Sequence, residues 1–182
     1  LVASPDFQRW AADFPLTRPV AQRRASSLFD ITAGFIYSQI LYACVELDLL
    51  ILLHAGDDIA FEPPCYSDPI AIAQLIRRFP GLKLIAAHFG SWQRWDEVEE
   101  HLIGMPVFLD TSFTAGLLDG QRLVGLARAH GTKRVLFGTD APWRPQDEDL
   151  AYFRKLPFTT EEQEQILWAN AAELLGLEGM PA

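Results

Sequence analysis

The stretch LIAAHFG at residues 84–90 decides the fold: an apolar run that stops at a histidine and is followed by small turn residues. Two further stretches repeat this design, ILLHAG at residues 51–56 and RVLFGTDAP at residues 134–142. Short, continuously apolar runs are typical of buried parallel strands. In a βα barrel the carboxyl ends of such strands meet at one rim, so the sequence predicts that three polar side chains share that rim.

Strand and helix patterns alternate from residue 51 onward. Apolar runs predict strands at about residues 51–54, 83–87, 106–110 and 134–138. Apolar spacing and turn residues predict helices at about residues 68–79, 92–102, 119–130, 147–155 and 160–175. Alternating units of this kind predict an α/β fold with a parallel sheet and right-handed crossovers.

The first 50 residues have a different character, because their apolar positions keep to the three- and four-residue steps of a helix. The segment Ser4-Pro5-Asp6 is a plausible helix start, and a long helix is predicted from about residue 20 to about residue 47. The sequence therefore predicts two parts, a helical appendage at residues 1–50 and an α/β part at residues 51–182.

Composition excludes several classes of partner. The chain has 182 residues and a net charge of −9, and an acidic surface does not attract nucleic acid or anionic membranes. The apolar stretch at residues 31–53 is interrupted by polar and charged residues, which favours a buried helix over a membrane span. Cys44 and Cys65 lack a CxxC spacing and residues 1–6 lack the pattern of a signal peptide, so a cytoplasmic location is expected.

His54, His88 and Asp140 are the candidate functional residues, since each follows an apolar strand-like run. Imidazole and carboxylate groups bind divalent cations, and a carboxylate can also take the proton of a water that the cation acidifies. The alternative for each histidine is a core residue hydrogen-bonded to backbone, and for Asp140 it is a helix N-cap.

Other polar residues receive weaker assignments. Asp110 ends the third predicted strand and is expected to be a wall residue or a hydrogen-bonding support rather than a ligand. His101 and His130 lie near predicted helix ends, where a cation complements the helix dipole, so both are expected to be structural. Trp92 and Trp95 either line a pocket or pack against the core.

Five collinear stretches resemble the amidohydrolase-2 branch of the amidohydrolase superfamily: HAG at 54–56, RFPGLKLIAAHFG at 78–90, VFLDTS at 107–112, RVLFGTDAP at 134–142 and ILWANA at 166–171. The resemblance covers about residues 51–177. Members are metal-dependent TIM-barrel hydrolases, and the same branch contains decarboxylases of aromatic or related acids. The resemblance therefore implies the C-terminal half of a (β/α)8 barrel, with four parallel strands and their helices.

The same resemblance implies roles for individual residues. His54 corresponds to the metal ligand of the fifth strand, His88 to the sixth-strand histidine that binds metal or polarises substrate, and Asp140 to the eighth-strand aspartate that binds metal and shuttles a proton. Asn170 corresponds to a structural helix residue. The implied cofactor is a divalent metal, zinc with manganese as the alternative. The family's first-strand His-x-His pair occurs nowhere in this sequence.

Residues 1–50 resemble the N-terminal dimerisation helices of carotenoid (hydroxyneurosporene-type) O-methyltransferases, through FQRW at 7–10, FPLTR at 14–18, FDITAGFIYSQI at 29–40 and VELDLL at 45–50. This resemblance implies a homodimer that forms through the N-terminal helices. Methyltransferase activity itself is disfavoured, because no glycine-rich loop follows a strand.

The expected function is that of a metal-dependent hydrolase that acts on a small carbonyl, amide or ester substrate, with an incomplete ligand set. Two alternatives stay open, a metal-dependent decarboxylase of the same branch and a non-catalytic fragment that dimerises through its helices. Arg144, just past the last predicted strand, either meets an acidic substrate or lies in solvent.

Overall fold

The computed structural model describes residues 38–58 and 65–177. Contacts between Cα atoms divide the chain into two compact units, Leu1–Glu46 and Leu47–Ala182. In the first unit the structure describes residues 38–46, which are helical and agree with the C-terminal part of the predicted long helix. The helix predicted to begin near Ser4 lies outside the described residues, as does most of the predicted dimerisation region.

The second unit is built on a parallel sheet of four strands, β1 (Leu50–Leu53), β2 (Lys83–Ala86), β3 (Phe108–Asp110) and β4 (Val135–Leu136). Their order in the sheet is their order in the chain, which is the arrangement expected of consecutive βα units. The register pairs Leu53 with Ala86 and Asp110 with Leu136, so His54 and His88 follow neighbouring strand ends.

The helices of this unit fall between and after the strands, as the sequence predicts. They are α1 (Pro69–Arg78), α2 (Trp95–His101), α3 (Gly120–His130), α4 (Gln146–Phe153), α5 (Thr160–Glu164) and α6 (Asn170–Leu175). The single helix predicted at 160–175 is divided, because a π-helical segment, Gln165–Ala169, separates α5 from α6. None of the helices in the two described ranges is long and apolar enough to cross a membrane.

The last strand is shorter than predicted. Residues 134–138 were expected to form it, but the ladder ends at Leu136. The backbone N–H of Phe137 donates to the carbonyl of Ile166, in the π-helical segment, and the N–H of Gly138 donates to the hydroxyl of Thr111. These bonds replace the ladder, so residues 137–140 approach the cleft as an irregular segment.

The core lies between the sheet and its helices. Leu84, Leu109 and Val135 are buried on the strands, whereas Leu52 is 65% exposed. The strands therefore bury one face fully. On the other face, the register places Leu52, Ile85 and Phe108 in one row. That face is exposed at Leu52 and buried at Asp110 and Leu136, which pair farther along it.

His130 is structural, but not as the cation at a helix end that the sequence suggested. Its ring is buried, its Nε2 donates to the carbonyl of Val107 at 2.8 Å, and its Nδ1 accepts from the N–H of Gly104 at 3.2 Å. Burial lowers the pKa of His130, so the ring stays neutral and joins α3 to the loop before β3.

Candidate active-site cleft

An open cleft of about 450 Å³ lies at the carboxyl ends of the strands. Its lining contains all three residues that the sequence singled out and is otherwise acidic and aromatic: His54, Asp57, Asp58, His88, Trp92, Phe113, Asp140 and Trp143. The topology explains the convergence, because parallel strands carry the residues that follow them to the same edge of the sheet.

His54 and His88 form the closest pair of candidate ligands. Nε2 of His88 lies 3.0 Å from Nδ1 of His54, and the two rings meet edge to face. The other ring nitrogen of His54 lies 3.3 Å from the carbonyl oxygen of Asp57 and 3.7 Å from the carboxylate of Asp58. His54 is exposed to solvent, whereas His88 is buried, so the pair connects the surface of the cleft to its floor.

The backbone around His88 is strained and strongly held. His88 has a φ of 58° and begins the short 3₁₀ turn His88–Gly90. Its N–H donates to Oδ1 of Asp110 at 3.1 Å and to Oγ of Ser112 at 3.2 Å, and its carbonyl accepts from the indole of Trp95 at 3.0 Å. A left-handed conformation at a residue other than glycine persists only when its surroundings fix it, as these bonds do. Trp95 therefore holds the backbone of His88.

Asp110 and Ser112 lie behind the ring of His88. Oδ1 of Asp110 accepts from the N–H and from the hydroxyl of Ser112, and Nδ1 of His88 lies 3.1 Å from Oγ of Ser112. Burial raises the pKa of the Asp110 carboxyl, against the opposing effect of its bonds to Ser112 and His88. Asp110 thus supports His88, the role that the sequence favoured. Sequence reasoning missed Ser112, whose only signal was its place two residues after Asp110.

Asp140 reaches the cleft by way of the irregular segment after β4. It is half-buried with a φ of 63°, and its carbonyl accepts from the N–H of Trp143 at 2.9 Å. The N-cap alternative for Asp140 is wrong, because the next helix, α4, has Pro145 at its N-cap. The turn after Asp140 instead brings Trp143 to the mouth of the cleft.

Aromatic side chains form much of the cleft wall. The ring of Phe113 meets those of His88 and Trp92 edge to face, each at 6.2 Å between centroids. The guanidinium of Arg144 lies 5.7 Å from the ring of Phe113 and pairs with the buried carboxylate of Asp149 at 2.8 Å. Arg144 is therefore neither in free solvent nor at the bottom of the cleft, but is tied to α4.

The metal set predicted from sequence is assembled only in part. The structure brings the ring nitrogens of His54 and His88 together and places Asp140 in the lining of the same cleft. Within residues 38–58 and 65–177, no group of three or more histidine, cysteine, aspartate or glutamate side chains could hold a metal ion. Among these residues, the imidazoles of His54 and His88 are thus the candidate ligands that lie close enough to share one ion.

Comparison with known families gives a match over most of the chain. The family model described as amidohydrolase matches residues 11–177. This match begins inside residues 1–50, the segment that resembles an O-methyltransferase. A local stretch of 56 residues is 46% identical to demethylspheroidene O-methyltransferase of Cereibacter sphaeroides, covering 31% of this chain and 15% of that protein. The resemblance to methyltransferases is therefore partial, because it covers less than half of this chain and a small part of the methyltransferase.

Solved structures resemble this chain in fold. An uncharacterised TIM-barrel protein from Bordetella bronchiseptica has a TM-score of 0.64 at 23% identity, over 79% of this chain and 51% of that one. A 2-pyrone-4,6-dicarboxylic acid hydrolase, assigned as putative, from Pseudomonas putida has a TM-score of 0.56 at 20% identity, over 74% and 54%. A dihydroxybenzoic acid decarboxylase from Polaromonas sp. JS666, with bound manganese and 2-nitroresorcinol, has a TM-score of 0.52 at 19% identity, over 75% and 52%. The chain spans about half the length of these structures, and its four strands form half of a TIM barrel, as predicted.

Proposed function

Because this chain belongs to the amidohydrolase family, we propose that its cleft is part of a metal-dependent hydrolase site for a small carbonyl, amide or ester substrate. The observation that carries the proposal is the opposition of two imidazole nitrogens, on His54 and His88, across 3.0 Å at the carboxyl ends of neighbouring strands. Strand ends at this rim are where βα barrels carry their catalytic groups.

The chemistry of the paired histidines fits a divalent cation. Zinc binds imidazole nitrogen at about 2.0–2.1 Å, so two nitrogens 3.0 Å apart are within reach of one shared ion. His54 and His88 would hold the metal, zinc with manganese as the alternative. Asp140 lines the same cleft, where its carboxylate is available as a further ligand or as a base.

A bound divalent cation polarises a carbonyl group and lowers the pKa of water toward neutrality. The residues of this chain then perform the proton chemistry. A side-chain oxygen of Asp140 takes the proton that the attacking water loses, and later returns it to the leaving amine or alcohol. His88, held from behind by Asp110 and Ser112, keeps one ring nitrogen directed at the reaction site.

The ligand set in this sequence is incomplete by comparison with the branch that it resembles, because no His-x-His pair occurs in it. This chain would therefore supply the ligands that follow three strands, His54, His88 and Asp140. A complete site would need further donors from outside these 182 residues. We expect the chain by itself to bind zinc weakly, because the described residues bring together only His54 and His88, one fewer than the three protein ligands of a catalytic zinc site.

Calorimetric titration of the purified chain with zinc, and in parallel with manganese, tests this proposal. The expected result is weak binding with one site per chain. No binding of either ion at millimolar concentration would contradict the metal role of the histidines. Tight one-to-one binding would contradict the claim that this chain lacks part of the ligand set.

The aromatic wall favours a second candidate function, decarboxylation of an aromatic acid. Trp92, Phe113 and Trp143 offer flat apolar surfaces that suit a planar ring. In that reaction the carboxylate leaves as carbon dioxide and Asp140 delivers a proton to the ring carbon. Tryptophan fluorescence during titration with 2,6-dihydroxybenzoate, and with cyclohexanecarboxylate as the control, distinguishes the two candidates. A response to both acids, or to neither, would remove the reason to prefer this reaction.

A further inference from the structure

We infer that Ser112 is a positioning residue which, together with Asp110, fixes the tautomer of His88 and leaves its Nε2 unprotonated toward the cleft. The inference rests on the proposed metal role of His88. It concerns a residue that lies behind the ring of His88 and is not itself among the residues that line the cleft.

The hydroxyl proton of Ser112 is committed to Asp110. Oδ1 of Asp110 accepts from two backbone N–H groups, those of His88 at 3.1 Å and Ser112 at 2.9 Å. An oxygen that accepts from backbone N–H groups acts as an acceptor whether or not the carboxyl is ionised. The shortest contact of the Ser112 hydroxyl, with this same oxygen, must therefore be a donation from serine to aspartate.

The direction of that bond determines which ring nitrogen of His88 carries the hydrogen. With its proton given to Asp110, Oγ of Ser112 presents only lone pairs to Nδ1 of His88, 3.1 Å away. The carbonyl oxygen of Ser112, 3.3 Å from the same nitrogen, is also an acceptor. Nδ1 must carry the hydrogen, so Nε2 of the neutral ring is the bare nitrogen, and it faces His54.

Burial makes this selection effective. His88, Asp110 and Ser112 are each at most 8% exposed, so water does not compete for these bonds. An imidazole binds metal through its unprotonated nitrogen, and the partner of the other nitrogen decides which one that is. Without the Ser112 hydroxyl, Nδ1 keeps only its longer contact with the Ser112 carbonyl.

The test compares Ser112→Ala with Ser91→Ala in the metal-free chain. Ser91 is also fully buried, and within the described part of the chain its hydroxyl has no hydrogen-bond partner, so the control loses an oxygen but no bond. Long-range proton–nitrogen NMR spectra at pH 9 report which nitrogen of each histidine is protonated. The signals of His88 among the four histidines are those lost in His88→Gln.

We expect Nδ1–H on His88 in the wild type and in Ser91→Ala, and a mixture of tautomers in Ser112→Ala. Zinc affinity should fall about 10–100-fold in Ser112→Ala only, the usual cost of losing a bond behind a metal ligand. An Nε2–H tautomer in the wild type overturns the inference even if the variant does not fold. An unchanged tautomer in a folded Ser112→Ala also overturns it. If the wild type has the expected tautomer but binds no zinc, the metal proposal fails while the assignment of Ser112 holds.

Discussion

Nε2 of His88 and Nδ1 of His54 face each other across 3.0 Å, although 34 residues separate them in the chain. The parallel pairing of β1 with β2 creates this relationship, because Leu53 and Ala86 are partners in the register. If this pair is the metal site, His54→Gln and His88→Gln should each abolish detectable zinc binding, since one imidazole cannot hold the ion. Isothermal titration with zinc measures the loss.

His101→Gln is the matched control for this prediction, because His101 lies at the end of α2 and does not line the cleft. It should bind zinc as the wild type does. Zinc affinity that survives in His54→Gln and falls in His101→Gln would place the site elsewhere on the chain.

The sequence predicted this convergence better than it predicted the details around it. Apolar runs that end in His54, His88 and Asp140 were enough to place all three at one rim, because strands that alternate with helices are parallel and their carboxyl ends meet at one edge. Ser112 could not be recognised, since its contacts with His88 and Asp110 form only when the segments after β2 and β3 come together in the fold. The early end of β4 was missed because the N–H of Phe137 bonds to a helix distant in sequence.

His130 should make stability depend on pH. Burial lowers its pKa, so below the ordinary value of about 6.5 the unfolded chain takes up a proton that the folded chain does not. The free energy of unfolding is expected to be highest above that pH and to decline as pH falls from 7 to 5. Urea unfolding of His130→Gln over this range should show a weaker decline, on top of an overall loss of stability.

His101→Gln again serves as the control for this pH effect, because that side chain is half-buried and, within the described residues, its ion-pair partner is Glu100, across 3.8 Å. Its pH dependence should match that of the wild type. Equal slopes in the wild type and His130→Gln would mean that the ring of His130 gains its proton in the folded state too.

Asn170 should be important for stability, the structural role that the family resemblance implied. Its buried Nδ2 donates to the carbonyls of Thr132 and Val135, both at 2.7 Å, and so ties α6 to the start of β4. Asn170→Ala leaves these carbonyls without that donor and should cost about 1–3 kcal/mol. Asn170→Asp should cost more, because a carboxylate oxygen would face two carbonyl oxygens.

Urea unfolding measures both Asn170 variants, and Gln163→Ala is the matched amide control. The Gln163 side chain makes one exposed bond of 3.4 Å to the carbonyl of Arg154, so its removal should change stability by less than about 0.5 kcal/mol. A similar small effect for Asn170→Ala would contradict the tie between α6 and β4.

Two glycine-to-alanine substitutions should have opposite effects on stability. Gly56 has a φ of 94°, and a Cβ there would lie 2.3 Å from the backbone nitrogen of Trp92. Gly125 lies in the middle of α3, and a Cβ there would meet nothing within 4 Å. Gly56→Ala should lower the melting temperature, because strain of this kind costs about 1–3 kcal/mol. Gly125→Ala should raise it, by about 0.5–1 kcal/mol of stability, through better helix propensity.

The Gly56 substitution also tests how the cleft is built. The N–H of Trp92 donates to the carbonyl of Ala55 at 2.8 Å, so the loop that carries Trp92 is fastened to the end of β1 at Gly56. A Cβ at Gly56 must push this loop away, and the tryptophan wall of the cleft with it. We therefore expect the fluorescence of Gly56→Ala, but not of Gly125→Ala, to shift toward that of a more exposed indole. Stability and fluorescence equal to those of Gly125→Ala would mean that β1 and the Trp92 loop are not joined in solution, and that Trp92 does not form the wall beside His54 and His88.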